Sequence, residues 1–200
     1  MFPRARLFGL RRVAAVIPVL VALVGTVAAC SSPGAASFNP AGPCVADGHL
    51  PGAYPELESR VPAALGASTP VSVDSGRNCS AANLGSLAAH GVNEVRFAGA
   101  VWRDAAQSGL TLAVFQAPGL RAEWIGEWYE ASARAGRSTG SIQANRPTVT
   151  GRAAYRMDLV NGESKQTVIA WPSADGAVVQ VVIAADEPEA RIQDAIAAFP

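Results

Sequence analysis

The stretch from Ala154 to Ala184, AYRMDLVNGESKQTVIAWPSADGAVVQVVIA, decides the fold. Tyr155, Met157 and Leu159 share one side of an alternating run, the period of a half-buried strand. Asn161-Gly162 reads as a two-residue hairpin turn and Ser164 to Trp171 as the returning strand. Pro172 to Gly176 turns the chain again, and Ala177 to Ala184 is a Val-rich third strand, completing an antiparallel meander. Just downstream, Asp186 and Glu189 have capping-box spacing, and Ile192, Ile196 and Phe199 put one apolar stripe on a closing helix.

Upstream of the meander, Leu120 to Ala135 carries Trp124, Ile125, Trp128 and Tyr129 at helical spacing and stops at Gly136. Before it, Val95, Phe97 and Val101 alternate with Glu94, Arg96 and Ala98, and Leu110 to Phe115 is apolar on both faces; the two runs read as a hairpin. Earlier still, Ser80 is placed to cap a helix reaching Ala89, Val71 to Ser75 is a short strand, and Pro55-Glu56-Leu57-Glu58 suits a helix start. The succession of two strands, helix, three strands and helix predicts an α+β domain, with an antiparallel sheet of about five or six strands covered by helices.

The carboxy-terminal order, a hairpin at Asn161-Gly162, a Val-rich strand and a helix ending Ala197-Ala198-Phe199, is similar to the Mog1/PsbP-like fold of the LpqN family of actinobacterial lipoproteins. That resemblance covers about 85 residues and rests on order and patterning. It implies a sandwich of helices around an antiparallel sheet and a binding or accessory role, and it carries over no catalytic residue.

The amino terminus resembles a bacterial lipoprotein signal. Arg4, Arg6, Arg11 and Arg12 precede an aliphatic run from Val13 to Ala29, and Val27-Ala28-Ala29-Cys30 ends it with small residues and a cysteine. Val27 stands where Leu is the commonest residue of that box. The resemblance implies removal of residues 1–29, a diacylglyceryl thioether on Cys30 and an extracytoplasmic, membrane-anchored domain, since two or more acyl chains hold a protein stably to a bilayer. An uncleaved anchor and a plain secretory cut are the alternatives. Pro18 and a run of only 17 residues weigh against the first, because a span takes about 20 apolar residues. Ser31 to Pro43 is low in charge and rich in turn formers and reads as a tether. The expected organisation is therefore a signal over 1–29, a lipidated Cys30 with tether over 30–43, and one domain over 44–200.

Without the signal arginines, 12 basic residues face 16 acidic ones, so the exported part is mildly acidic and lacks the basic character of a nucleic-acid binder. Cys44 and Cys79 remain as an even pair without metal-like spacing and read as a disulfide. Closing a loop of about 36 residues contributes roughly 3–4 kcal/mol by chain entropy. Two free thiols are the alternative, without a C-x-x-C to support it.

Candidate chemistry is sparse. Gly136-Arg137-Ser138-Thr139-Gly140 matches G-x-S-x-G, but a nucleophile elbow needs a strand before the Ser and a helix after it, and here the order is reversed. His49 and His90 are the only histidines, and His90 with Glu94 straddles a Gly that breaks a shared helical face. Glu123, Glu127 and Glu130, with Arg121 and Arg134 nearby, describe a solvated helix face rather than a glycosidase pair. Asn78-Cys79-Ser80 is a sequon without weight beside a paired cysteine. The four tryptophans, Trp102, Trp124, Trp128 and Trp171, either fill the core or border an apolar groove for a lipid or glycan. The expectation is a non-catalytic, membrane-tethered envelope protein that uses no cofactor or metal and binds a lipid, a glycan or an envelope protein, but no nucleic acid. An envelope hydrolase whose acids converge only in the fold is the rival, and a purely structural lipoprotein the third reading.

Overall fold

Alternation in the quoted stretch produces strands, as its period requires, and the sheet they join is larger than expected. In a computed structural model of the chain, residues 38–103, 108–136 and 140–200 are described. Their elements in order are β1 (Gly48–Leu50), α1 (Pro55–Glu58), β2 (Ser72–Asn78), α2 (Ala81–Leu84), α3 (Ser86–Ala89), β3 (Val95–Arg103), β4 (Gly109–Gln116) and α4 (Ala122–Ala135). There follow β5 (Ser141–Asn145), β6 (Thr148–Val149), β7 (Arg152–Ala153), β8 (Tyr155–Asn161), β9 (Ser164–Pro172), β10 (Val179–Ala185) and α5 (Glu189–Ala197).

Eight strands form one antiparallel sheet in the order β1-β2-β3-β4-β10-β9-β8-β5, and β6 and β7 make a separate two-stranded ribbon. The class is α+β, with eight strands in place of five or six. The additional strands β1 and β5 sit at the two edges. Both are short, and β5 reads Ser-Ile-Gln-Ala-Asn, with a single β-branched residue among small and polar ones. One long-range joint welds the two halves: β10 pairs β4 from Val179↔Phe115 to Ala185↔Gly109.

Helices lie on both sides of the sheet. Ala98, Ala100, Trp102, Leu112, Val114, Ile169, Trp171 and Val182 pack on one face with Leu57 of α1 and Ile192, Ala195 and Ile196 of α5. Ala113, Phe115, Met157, Val168, Ala170 and Val181 pack on the other with Ile125 of α4 and Leu84 and Leu87 of α2 and α3. Strands β4 and β10, at the middle of the sheet, are buried on both sides. Helix α4 sits close because Gly126 has no side chain: a Cβ there would lie 2.2 Å from the Tyr155 ring.

Local expectations are corrected at several points. The helix expected from Ser80 to Ala89 is two single turns, because Gly85 adopts φ +49° between them, although Ser80 does accept from the Asn83 amide at 3.2 Å. Asn161 pairs with Ser164, so the hairpin loop is Gly162-Glu163. Gly162 at φ +64° takes the first central position, the place for glycine in a type II′ turn. No capping box forms at Asp186, which has φ +52° and accepts from the Lys165 amide at 2.7 Å; α5 starts after Pro188.

Among the described residues, folded contacts are already present at Phe38, inside the stretch read as tether. The buried Arg77 guanidinium donates to the carbonyls of Gly42 at 2.8 Å, Asn39 at 3.0 Å and Pro43 at 2.7 Å, and it lies over the Phe38 ring. Cys44 and Cys79 form the expected disulfide, with Cα atoms 6.0 Å apart. Asp47 completes this corner by accepting from the amides of Cys79 and Ser80. Cys30 and the residues read as its signal lie outside the described residues. Among the described residues, no helix is long and apolar enough to cross a membrane.

Candidate functional site

At the end of the sheet where β3 begins and β4 ends, three connections surround a cavity of about 710 Å³. Its walls come from the α3–β3 loop through Val92, Asn93 and Glu94, from the β4–α4 loop through Ala117 and Pro118, and from the β9–β10 turn through Ala177. Loops carried on a rigid sheet are where binding residues concentrate, and the volume is that of an ordinary ligand pocket.

The polar side of the cavity follows from strand register. Arg77 on β2 pairs with Arg96 on β3, and Arg96 pairs with Gln116 on β4, so the three side chains form a row on the face of α1 and α5. Like charges opposite each other are unfavourable. Glu94 relieves this pair, because its Oε1 accepts from Arg96 Nε at 2.8 Å and lies 4.0 Å from Arg77 Nη1. The Glu94 hydrogen bond holds the Arg96 pKa above its ordinary value, and the charge of Glu56 adds to the effect. Arg96 also lies over the Tyr54 ring at 5.1 Å. The side-chain amides of Asn93 and Gln116 form no hydrogen bond with another described residue.

The tryptophans do not make a common groove. Trp102 and Trp171 are each 1% exposed on the α1 and α5 face, where Trp102 Nε1 donates to Ser68 O at 3.2 Å and Trp171 packs edge-on to Phe199. Trp124 and Trp128 lie half-buried on α4, across the sheet. The reason is positional: Trp102 and Trp171 share the strand parity of Leu112 and Ile169, whereas Trp124 and Trp128 belong to the helix covering the other side. His90 already stacks on Trp124, at 4.5 Å and 6° between planes, and Arg121 lies over the same ring. Trp128 Nε1 donates to Asn83 O at 3.2 Å.

The acids do not converge either. Glu123 pairs with Arg146 at 2.7 Å, Glu127 with His90 at 3.3 Å, and Glu130 with Arg134 and the Tyr155 hydroxyl. His90 therefore meets Glu127 rather than Glu94. The Tyr155 and Arg134 hydrogen bonds hold Glu130 below the usual carboxylate range. Across the molecule, Asp158 and Glu189 share Arg156 at 2.8 and 2.9 Å. Burial pushes Asp158 up, but hydrogen bonds from Arg156 and Thr167 outweigh it and leave the carboxyl below its ordinary value. Glu130, Asp158 and Glu189 are held toward the ionised form, and Glu123 and Glu127 are already paired, the opposite of a general acid.

His49 pairs with Asp74 at 2.8 Å, remote in sequence from His90. Arg137, Ser138 and Thr139 of the G-x-S-x-G match lie outside the described residues; helix α4 precedes that match and strand β5 follows it. Among the described residues, no group of three or more His, Cys, Asp or Glu is placed to hold a metal ion. Sequence reading missed the Arg77–Arg96–Gln116 row, whose only trace was Glu94 and Arg96 on the polar side of an alternating strand. Compared with models of known families, with curated proteins and with solved structures, the chain matches none.

Proposed function

We propose that the chain is an exported, lipid-anchored envelope protein whose domain binds a ligand or partner without catalysing a reaction, and that the cavity beside Glu94 and Arg96 is its binding site. The two unpartnered amides in that cavity carry the binding reading. Asn93 and Gln116 line a concave surface, and among the described residues no other group uses the hydrogen-bonding capacity of their side chains. The scattered, engaged carboxylates speak against the hydrolase reading, which needs acids converging in one pocket.

Val27-Ala28-Ala29-Cys30 supports the anchor, and a disulfide is in keeping with an oxidising compartment outside the cytosol. Helices on both faces of an antiparallel sheet support the likeness to the Mog1/PsbP-like LpqN family, with a sheet larger than the order of elements predicts.

Metabolic labelling with palmitate tests the anchor. The wild type takes up label, and Cys30→Ala loses both the label and membrane association. A Cys30→Ala chain still held firmly in the membrane refutes lipidation as the anchor. Affinity capture of the lipidated chain from its native membrane, with copurifying molecules identified by mass spectrometry, tests binding; recovery of nothing above background leaves the structural reading.

A further inference from the structure

The cavity's chemistry narrows what it accepts. The charged residues that line it are one cation, Arg96, and one anion, Glu94, paired with each other at 2.8 Å, so the lining is balanced and an ion of either sign would bring an uncompensated charge. The apolar contribution is small: Val92, Ala117, Pro118 and Ala177, without a long aliphatic side chain to cover an acyl chain. Among the described residues no aromatic ring lines it, so a sugar finds no stacking platform there.

What remains is hydrogen-bonding capacity of one kind. Asn93 and Gln116 each offer one acceptor and one donor group side by side, the complement of a peptide unit's N–H and C=O. Arg96 spends Nε on Glu94 and has four further N–H groups, which donate to no other described residue. Small apolar walls beside these groups accommodate uncharged side chains between successive peptide units.

We infer that this cavity binds an uncharged, extended peptide segment of a partner protein, held through its main-chain amides by Asn93, Gln116 and Arg96. The inference rests on the cavity being the binding site and names the class of its occupant.

The test uses the exported chain with its disulfide intact. A phage-displayed random heptapeptide library is selected on it, and the selected peptides are titrated with amide chemical shifts as readout. Maltotriose, octanoate and inorganic phosphate are titrated in parallel. The expected result is a set of peptides uncharged in their central positions that shift Val92 to Arg96 and Gln116 to Ala117. Gln116→Leu and Asn93→Leu should each weaken them about tenfold, the loss of roughly one good hydrogen-bonded pair. Both positions are at least partly exposed, so the variants should retain the fold, which an unchanged far-UV spectrum verifies.

Selected peptides with charged central positions, or no peptide enriched over the Gln116→Leu control, overturn the inference. Shifts of the same residues by maltotriose, octanoate or phosphate, abolished by Gln116→Leu, overturn the peptide class while leaving the cavity as the binding site. If no probe moves the cavity residues, both assignments fall.

Discussion

Two arginines show how differently this chain stabilises a buried cation. Arg77 is 1% exposed and held mainly by three main-chain carbonyls of the segment 39–43. Arg156, 22% exposed at its side chain, is held by the carboxylates of Asp158 and Glu189. Carbonyls do not titrate and carboxylates do. The carbonyl contacts of Arg77 are therefore a pH-independent clamp on the amino-terminal segment, and the Arg156 corner is an acid-sensitive tie between β8 and α5.

The largest expected effect tests the clamp. Arg77→Ala takes the guanidinium from three part-buried carbonyls, of which those of Asn39 and Pro43 keep a backbone donor and that of Gly42 keeps none among the described residues, and leaves a void in the core; it should cost about 2–4 kcal/mol in urea unfolding. Arg77→Lys should recover only part of that, because an ammonium cannot reproduce the guanidinium fork. A loss smaller than that of Arg156→Ala would reverse the comparison.

Replacing Cys44 and Cys79 together with Ser should cost about 2–4 kcal/mol. The bridge and Arg77 hold the same segment, so combining the changes should cost less than their separate effects added, since neighbouring sites couple. Strict additivity would mean that the two act on different parts of the structure. Counting thiols on denatured, unreduced protein should find neither Cys44 nor Cys79 free.

The Arg156 corner is addressed by pH. The Arg156 hydrogen bond depresses Glu189, and for Asp158 the hydrogen bonds outweigh burial, so both carboxyls titrate lower in the folded state than in the unfolded chain. An unfolded state that takes up protons more readily gains on acidification. The stability from this corner is thus complete above the ordinary carboxylate values and is lost as pH falls through the depressed ones. Arg156→Met should lessen the fall in urea midpoint between neutral and acid pH by the equivalent of about 1 kcal/mol, a modest figure because Glu189 is half-exposed. Arg77→Ala should keep the wild-type acid slope, and equal slopes in both variants would erase the distinction.

The smallest effect belongs to the cavity. Gln116→Leu touches neither arginine's hydrogen bonds and should change stability by less than about 0.5 kcal/mol. A larger loss would place Gln116 among the structural groups and separate it from binding.

Where the chain was legible, the signal was local. The β8–β9–β10 meander, helices α4 and α5 and the Cys44–Cys79 pair each follow from period, turn residues or an even pair of cysteines without metal-like spacing, because side-chain alternation and helical stripes are imposed by neighbours a few residues away. Even there, the turn slipped by one residue and the capping box at Asp186 gave way to a contact with Lys165. Tertiary structure alone decided the rest. The pairing of β4 with β10 joins segments some seventy residues apart, and only that joint assigns Trp102 and Trp171 to one face and leaves Trp124 and Trp128 on the other. The Arg77–Arg96–Gln116 row exists only in the register of three strands, and period tells which side of its own strand a residue takes but not which residue of another strand it will meet.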